Sequence, residues 1–195
     1  MINIVKMVVA LTIVTAIAAA SLAKVYDSTK DAIAEAKRQE MLRAIKTVLP
    51  SYDNEPDKDF VDLISGKDRK GREVITSFYR GKSNGETVGV AFKSSSNEGY
   101  SGLIEVMVGV DPAGTVTAIE VIAHAETPGL GDKITFPSFE KQYKGKNLDN
   151  AKWLVKKDGG DFDQLTGATI SPRAVTEAVK KALDFFSKHK TEILS

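Results

Sequence analysis

The chain has 195 residues, 27 Lys and Arg against 26 Asp and Glu, and no cysteine. That length suits one core of ordinary size, and the near balance of charge, with no block of either sign, excludes a nucleic-acid face built from clustered cations. The lack of cysteine excludes disulfides, thiolate metal sites, Cys-ligated iron–sulfur clusters, catalytic thiols and a lipidated cysteine anchor.

At the amino end, residues 7–23 read MVVALTIVTAIAAASLA, with Lys6 before and Lys24 after. About 17 apolar residues is the short end of a bilayer span; Ile4 and Val5, with Lys6 snorkelling, extend it to about 20. The small-residue triplets Ala18-Ala19-Ala20 and Ser21-Leu22-Ala23 also resemble signal cleavage sites. A retained span is the preferred reading, because no polar linker follows. Ile33, Ala36, Leu42, Ile45 and Leu49 recur at helical spacing, so one helix runs on until Pro50 stops it. A core helix would show a polar face, and this stretch has none. The expected organisation is a span over 1–26, a helical connecting region over 27–70 and a body over 71–195. Lys6 precedes the span and Lys24, Lys30, Lys37 and Arg38 follow it, so charge bias does not orient it. The signal-like layout, a short basic end before an apolar run, places the body outside the cytoplasm. A span free of charge in its middle is an anchor rather than an ion path, and Ala16, Ala18, Ala19 and Ala20 permit close helix contact.

Residues 52–70 are charged and read as loop or short helix. From Glu73 onward the texture changes. Val88, Val90 and Phe92 alternate with other residues, as do Ile104, Val106, Val108 and Val110, and then Ile119, Val121 and Ala123. This period-2 pattern means half-buried strands. Asn84-Gly85 and Asp111-Pro112-Ala113-Gly114 are turn sequences short enough to make neighbouring strands antiparallel. A loop follows His124, then a short helix over 136–144 and a further strand over 153–155. The last helix is expected over 172–188, with Ser171 as N-cap, Pro172 as its first residue, and Val175, Val179, Leu183 and Phe186 as its buried stripe. The fold class is α+β: one N-terminal transmembrane helix, then a single antiparallel-sheet domain.

The two histidines, His124 and His189, lack a metal-binding spacing and complete no Ser–His–Asp arrangement. The loop ETPGLG at 126–131 has a proline and two glycines that shape its backbone; it suits either an ordinary connection or close approach to a flat ligand. The stretch DQLTGATIS at 163–171 sets Thr169 beside the small residues Gly167 and Ala168, at a helix entrance. Unpaired amides near Ile170 and Ser171 favour an anion, so a phosphate beside the Thr169 hydroxyl fits. The same turn serves equally as a cap made by Thr166 and Ser171.

Taken together, GYSGLIEVMVGVD at 99–111, HAETPGLGDK at 124–133 and DQLTGATIS follow one another after a single apolar run. In this the chain resembles the FMN-binding domain family, and within it the G subunits of Rnf-type ion-translocating electron-transport complexes. The family pattern D-x-x-[ST]-G-A-T is matched by Asp163, Thr166, Gly167, Ala168 and Thr169. The resemblance implies FMN held covalently on Thr169 by a phosphoester bond, with Asp163 at the acidic position of the attachment signal read by a flavin transferase. It also implies a small collar of Thr166, Gly167, Ala168 and Ser171, with Glu126, Thr127 and Leu130 nearest the isoalloxazine ring. Implied partners are the other membrane and redox subunits of a complex that passes electrons between ferredoxin and NAD and moves Na+ or H+. The implied place is the cell (inner) membrane, single-pass, with the flavin domain on the extracytoplasmic, periplasmic side. Two alternatives stand beside this reading. The C subunit of the Na+-translocating NADH:quinone reductase shares the attachment motif but is typically longer. A non-redox, membrane-anchored binding module would use the TGAT turn only as a helix cap.

Overall fold

A computed structural model of the chain describes residues 2–67 and 71–195. Helix α1 covers Ile2–Val48. No glycine or proline interrupts that stretch, and Pro50 lies just beyond its end, where the missing N–H ends the ladder. Within its apolar part Thr12 and Thr15 donate their hydroxyls to the carbonyls of Val8 and Leu11 at 2.8 and 2.9 Å, so neither hydroxyl needs water. The helix is long and apolar enough to cross a membrane. The expected single helix, running on from the span, is what forms.

The chain divides into two compact units, residues 1–41 and 42–195. The second contains the sheet: β1 (Phe60–Lys67), β2 (Glu73–Ser83), β3 (Glu86–Gly99), β4 (Gly102–Val110) and β5 (Val116–Ala123). The strands lie in sequence order, each antiparallel to the next. Asn84 and Gly85 both take positive φ, 52° and 83°, as a two-residue hairpin turn of the primed type requires. Of the loop or short helix expected over 52–70, residues 52–59 are loop, strand β1 takes the place of the rest, and residues 68–70 lie outside the described part. Among the described side chains of β1, Leu63 alone is buried and Val61 is half-buried, while Phe60 and Ile64 are exposed. An edge strand with so little apolar alternation leaves a weak mark in sequence.

The two faces of the sheet are built differently. Phe78, Val90, Phe92, Val106 and Val108 meet α3 (Ile170–Leu194), whose Val175, Val179, Leu183 and Phe186 are buried as the periodicity predicts. Ser94 on β3 also donates to the Ala178 carbonyl at 2.7 Å. The opposite face is paved with small residues, Gly81 paired with Gly89 and Ala91 with Gly109. Leu49 and Pro50, just past α1, occupy the space a Cβ on Gly81 or Gly89 would need, and a Cβ on Gly109 would collide with the Val48 carbonyl. That same carbonyl accepts the Thr117 hydroxyl at 2.5 Å, which satisfies one orphan group of the helix end.

Past β5 come a short 3-10 helix (Gly131–Thr135), helix α2 (Pro137–Glu140) and a second 3-10 turn (Lys141–Tyr143), so the helix expected over 136–144 forms in two pieces. The strand expected over 153–155 does not form. Among the described residues these positions contribute only the isolated parallel bridge of Val155 with Phe162. Trp153 instead packs on Phe162, with centroids 4.8 Å apart, in a cluster with Tyr143, and donates its indole N–H to the Asn147 carbonyl at 3.0 Å. Its apolar spacing reflects this cluster and not a ladder.

Candidate functional site

The loop after β5 is tied tightly to itself. The Thr127 carbonyl accepts the amides of Leu130 at 3.1 Å and Asp132 at 3.4 Å, and Gly129 sits at φ +78°. Thr127 and Leu130 are exposed, whereas Glu126 turns inward and keeps only 5% of its surface. Its Oε2 accepts the Ser171 hydroxyl at 2.6 Å and its Oε1 accepts the Ser101 amide at 3.1 Å. The Glu126 amide in turn donates to His124 Nδ1 at 3.2 Å. A Cβ on Gly99 or on Gly131 would strike the Glu126 carboxylate oxygens. The turn before β4, the loop after β5 and the first turn of α3 therefore converge on one carboxylate.

The approach to α3 is equally compact. Leu165 and Ala168 form an antiparallel bridge, with the Ala168 amide 3.1 Å from the Leu165 carbonyl, and Gly167 closes the turn at φ +79°. The Leu130 side chain lies 3.6 Å from where a Gly167 Cβ would sit, so the two loops run close together. Thr166 and Gly167 are exposed, Ala168 and Thr169 half-buried. The helix begins at Ile170, one residue before the expected cap, and Pro172 is its third residue instead of its first. Ser171 does not cap the helix, because its hydroxyl is taken by Glu126. Thr169 stands in the N-cap place with helical angles, φ −73° and ψ −26°, and among the described residues no side chain caps α3. No acidic residue lies in its first turn. The Ile170 and Ser171 amides at the start of this 25-residue helix suit an anion beside Thr169, while Pro172 has no N–H and the Arg173 amide donates to the Thr169 carbonyl at 3.3 Å.

Asp163 is exposed, pairs with Lys156 Nζ at 2.6 Å, and donates its amide to Gln142 Oε1 at 2.6 Å. The Arg173 guanidinium forks onto Asp158 with two bonds of 2.6 Å and holds that carboxyl below its usual range. Behind the loop, burial pushes the Glu140 carboxyl up to about 7; the Val121 amide, 2.9 Å from Oε1, opposes this and the Glu120 carboxylate adds to it. Asp132 Oδ1 is buried with no partner among the described residues. Sequence reasoning missed Ser101 and the glycines 99 and 131 as partners of Glu126. GYSG and GLG were visible as strings, but nothing in them shows which side chain they leave room for.

The profile of the FMN-binding domain matches residues 99–184, from the turn before β4 into α3. Curated relatives named as the G subunit of the ion-translocating oxidoreductase complex match almost the whole chain. The protein of Aliivibrio fischeri strain ES114 is 43% identical over 91% of this chain and 88% of its own. That of Shewanella baltica strain OS223 is 40% identical over 89% and 85%, and that of Pseudomonas aeruginosa strain PAO1 is 40% identical over 89% and 84%. The chain belongs to this G-subunit family. Two crystal structures share its fold at lower identity. NqrC of Shewanella oneidensis is 23% identical with a TM-score of 0.53, over 74% of this chain and 68% of that one. The C subunit of the Na(+)-translocating NADH-quinone reductase of Parabacteroides distasonis is 20% identical with a TM-score of 0.56, over 80% and 91%.

The residues present fit a phosphate-bearing flavin. A phosphate would meet an uncapped helix start and the Thr169 hydroxyl, beside a Gly167 with no side chain. The exposed Thr127 and Leu130 offer a loop face to a flat ring. Among the described residues no group of three or more His, Asp or Glu could hold a metal ion.

Proposed function

We propose that the chain is the flavoprotein subunit of a membrane-bound, Rnf-type ion-translocating oxidoreductase, carrying FMN on Thr169 through a phosphoester bond. The observation that carries this reading is Thr169, a half-buried hydroxyl residue at the uncapped start of α3, while the neighbouring Ser171 hydroxyl is buried and engaged. A flavin transferase would join them: Thr169 Oγ bonds to the flavin-side phosphorus of a flavin phosphoanhydride, the anhydride P–O bond breaks, and the hydroxyl proton leaves with the other half. Asp163, outside the collar and on the surface, serves recognition by that enzyme. The α3 amides hold the charged phosphodiester, Gly167 and Ala168 keep the turn open, and Leu130 and Thr127 orient the ring. FMN supplies one- and two-electron chemistry; the protein supplies attachment and placement. A tether suits a carrier on the extracytoplasmic face, where lost cofactor is not readily replaced.

The complex so served would exchange electrons between ferredoxin and NAD and move Na+ or H+, with α1 anchoring this relay among other membrane and redox subunits. Mass spectrometry of the peptide containing Thr169 should show FMN minus water. A yellow-fluorescent band should survive SDS and vanish in Thr169→Ala. A bare peptide from chain matured with a competent transferase overturns the reading. For the orientation, protease added to spheroplasts should digest the body; protection in right-side-out membranes would contradict the periplasmic placement.

A further inference from the structure

We infer that Glu126 is a positioning residue: its buried carboxylate locks the Thr169 turn against the ETPGLG loop and withholds the Ser171 hydroxyl, leaving Thr169 the hydroxyl offered at the mouth of α3. The inference rests on the attachment site proposed above, but its geometry stands alone. Two donors from segments 25 and 45 residues away in sequence share the one carboxylate, Ser101 through its amide and Ser171 through its hydroxyl. Both Glu126 and Ser171 are almost fully buried, at 5% and 1% exposure. A buried carboxyl held by two donors from distant segments is stiff, because releasing it leaves that group and the Ser171 hydroxyl unpaired away from water. The glycines at 99 and 131 are the steric condition, since a Cβ on either would displace the carboxylate.

The consequence is selective. Thr169 and Ser171 flank the same helix start, and both are hydroxyl residues beside its free amides. Ser171 Oγ is spent as a donor to Glu126 and faces inward, so an incoming phosphorus finds Thr169. Without Glu126, Ser171 would be released and the turn would lose its link to the loop after β5. Leu130 and Gly167, now close together, would no longer be held at a fixed spacing.

The test uses the full-length chain matured in membranes with its flavin transferase. Peptide mass spectrometry reads the flavin occupancy of Thr169 and which residue is esterified, and amide hydrogen exchange reads residues 99–102 and 166–173. Glu126→Ala should lower occupancy at least about tenfold and speed exchange in both segments by a similar factor. Glu126→Gln keeps an acceptor for Ser101 and an amide for Ser171, and should restore occupancy to within about threefold of wild type. Phe186→Ala, further along α3, is the control for stability alone: it should lower the melting temperature as much or more yet leave occupancy near wild type. Glu126→Ala loaded like wild type, Gln as poor as Ala, or Phe186→Ala equally unloaded would each overturn the inference. Should Glu126→Ala fail to fold, Ser171→Ala decides in its place: lowered occupancy with faster exchange at 166–173 supports the clasp, and wild-type values in both sink it. If wild type itself carries no flavin, the attachment reading fails while the exchange data still judge the clasp: faster exchange in both segments upholds it, unchanged exchange removes it.

Discussion

Along the first half of α1, Leu11, Ile17 and Leu22 are 66%, 62% and 71% exposed, whereas on α3 Val175, Val179, Leu183 and Phe186 are all buried. Both helices are long and both use aliphatic side chains. They differ in how those side chains are arranged. The stripe on α3 is one-sided and matches the large side chains of β2, β3 and β4. The apolar residues in the first half of α1 surround the helix and stay exposed, as suits a lipid-facing anchor, whereas Ala44, Ile45 and Val48 at its far end are buried. Apolar composition alone therefore does not mean core; its distribution around the axis decides which solvent is avoided.

The largest test of this contrast is removal of residues 1–25. The remaining chain should move wholly from the membrane to the soluble fraction with its circular dichroism otherwise that of the folded sheet domain. Retention in the washed membrane pellet would show that α1 is not the anchor. Next in size, Phe186→Ala should cost about 3–5 kcal/mol in the urea unfolding of the detergent-solubilised chain, since it opens a cavity between α3 and the sheet. Leu22→Ala, at a position already exposed, should change the same measurement by less than about 0.5 kcal/mol. Equal effects would erase the distinction between the two helices.

A pH-dependent effect concerns a polar group held at the β5 edge of the sheet. Glu140 on α2 has its carboxyl raised to about 7 from 4.5 by burial and by Glu120. The folded state thus holds a proton there that the unfolded state releases between those values. Stability should fall as pH rises through that window, by at most about 2–3 kcal/mol, less than the full shift implies because the carboxyl keeps part of its solvent, and level off above it. Glu140→Gln should flatten this dependence and be the more stable form at pH 8. Parallel pH curves for variant and wild type would exclude the assignment.

Much of the fold was legible because it follows local periodicity. The uninterrupted α1, strands β3 to β5, the Asn84-Gly85 turn and the stripe of α3 each write their pattern within a few residues. Strand β1 was not, because a half-exposed edge buries little more than Leu63 and Val61. Trp153 misled for the opposite reason: its burial comes from an aromatic cluster drawn from distant positions. At the site, the TGAT turn announced itself by its small residues and hydroxyls. The start of α3 at Ile170 was missed because the rule that favours serine as a cap assumes its hydroxyl is unclaimed.

The sequence by itself determined that one helix seeks lipid, that a meander of strands follows, and that Thr169 sits in a small collar, since each depends on neighbours along the chain. Only the tertiary structure decided that Glu126 faces inward and that Ser171 is spent upon it. Those outcomes depend on the space left by Gly99 and Gly131 and on donors 25 and 45 residues away, and hydrogen bonds across such separations leave no periodic trace in sequence.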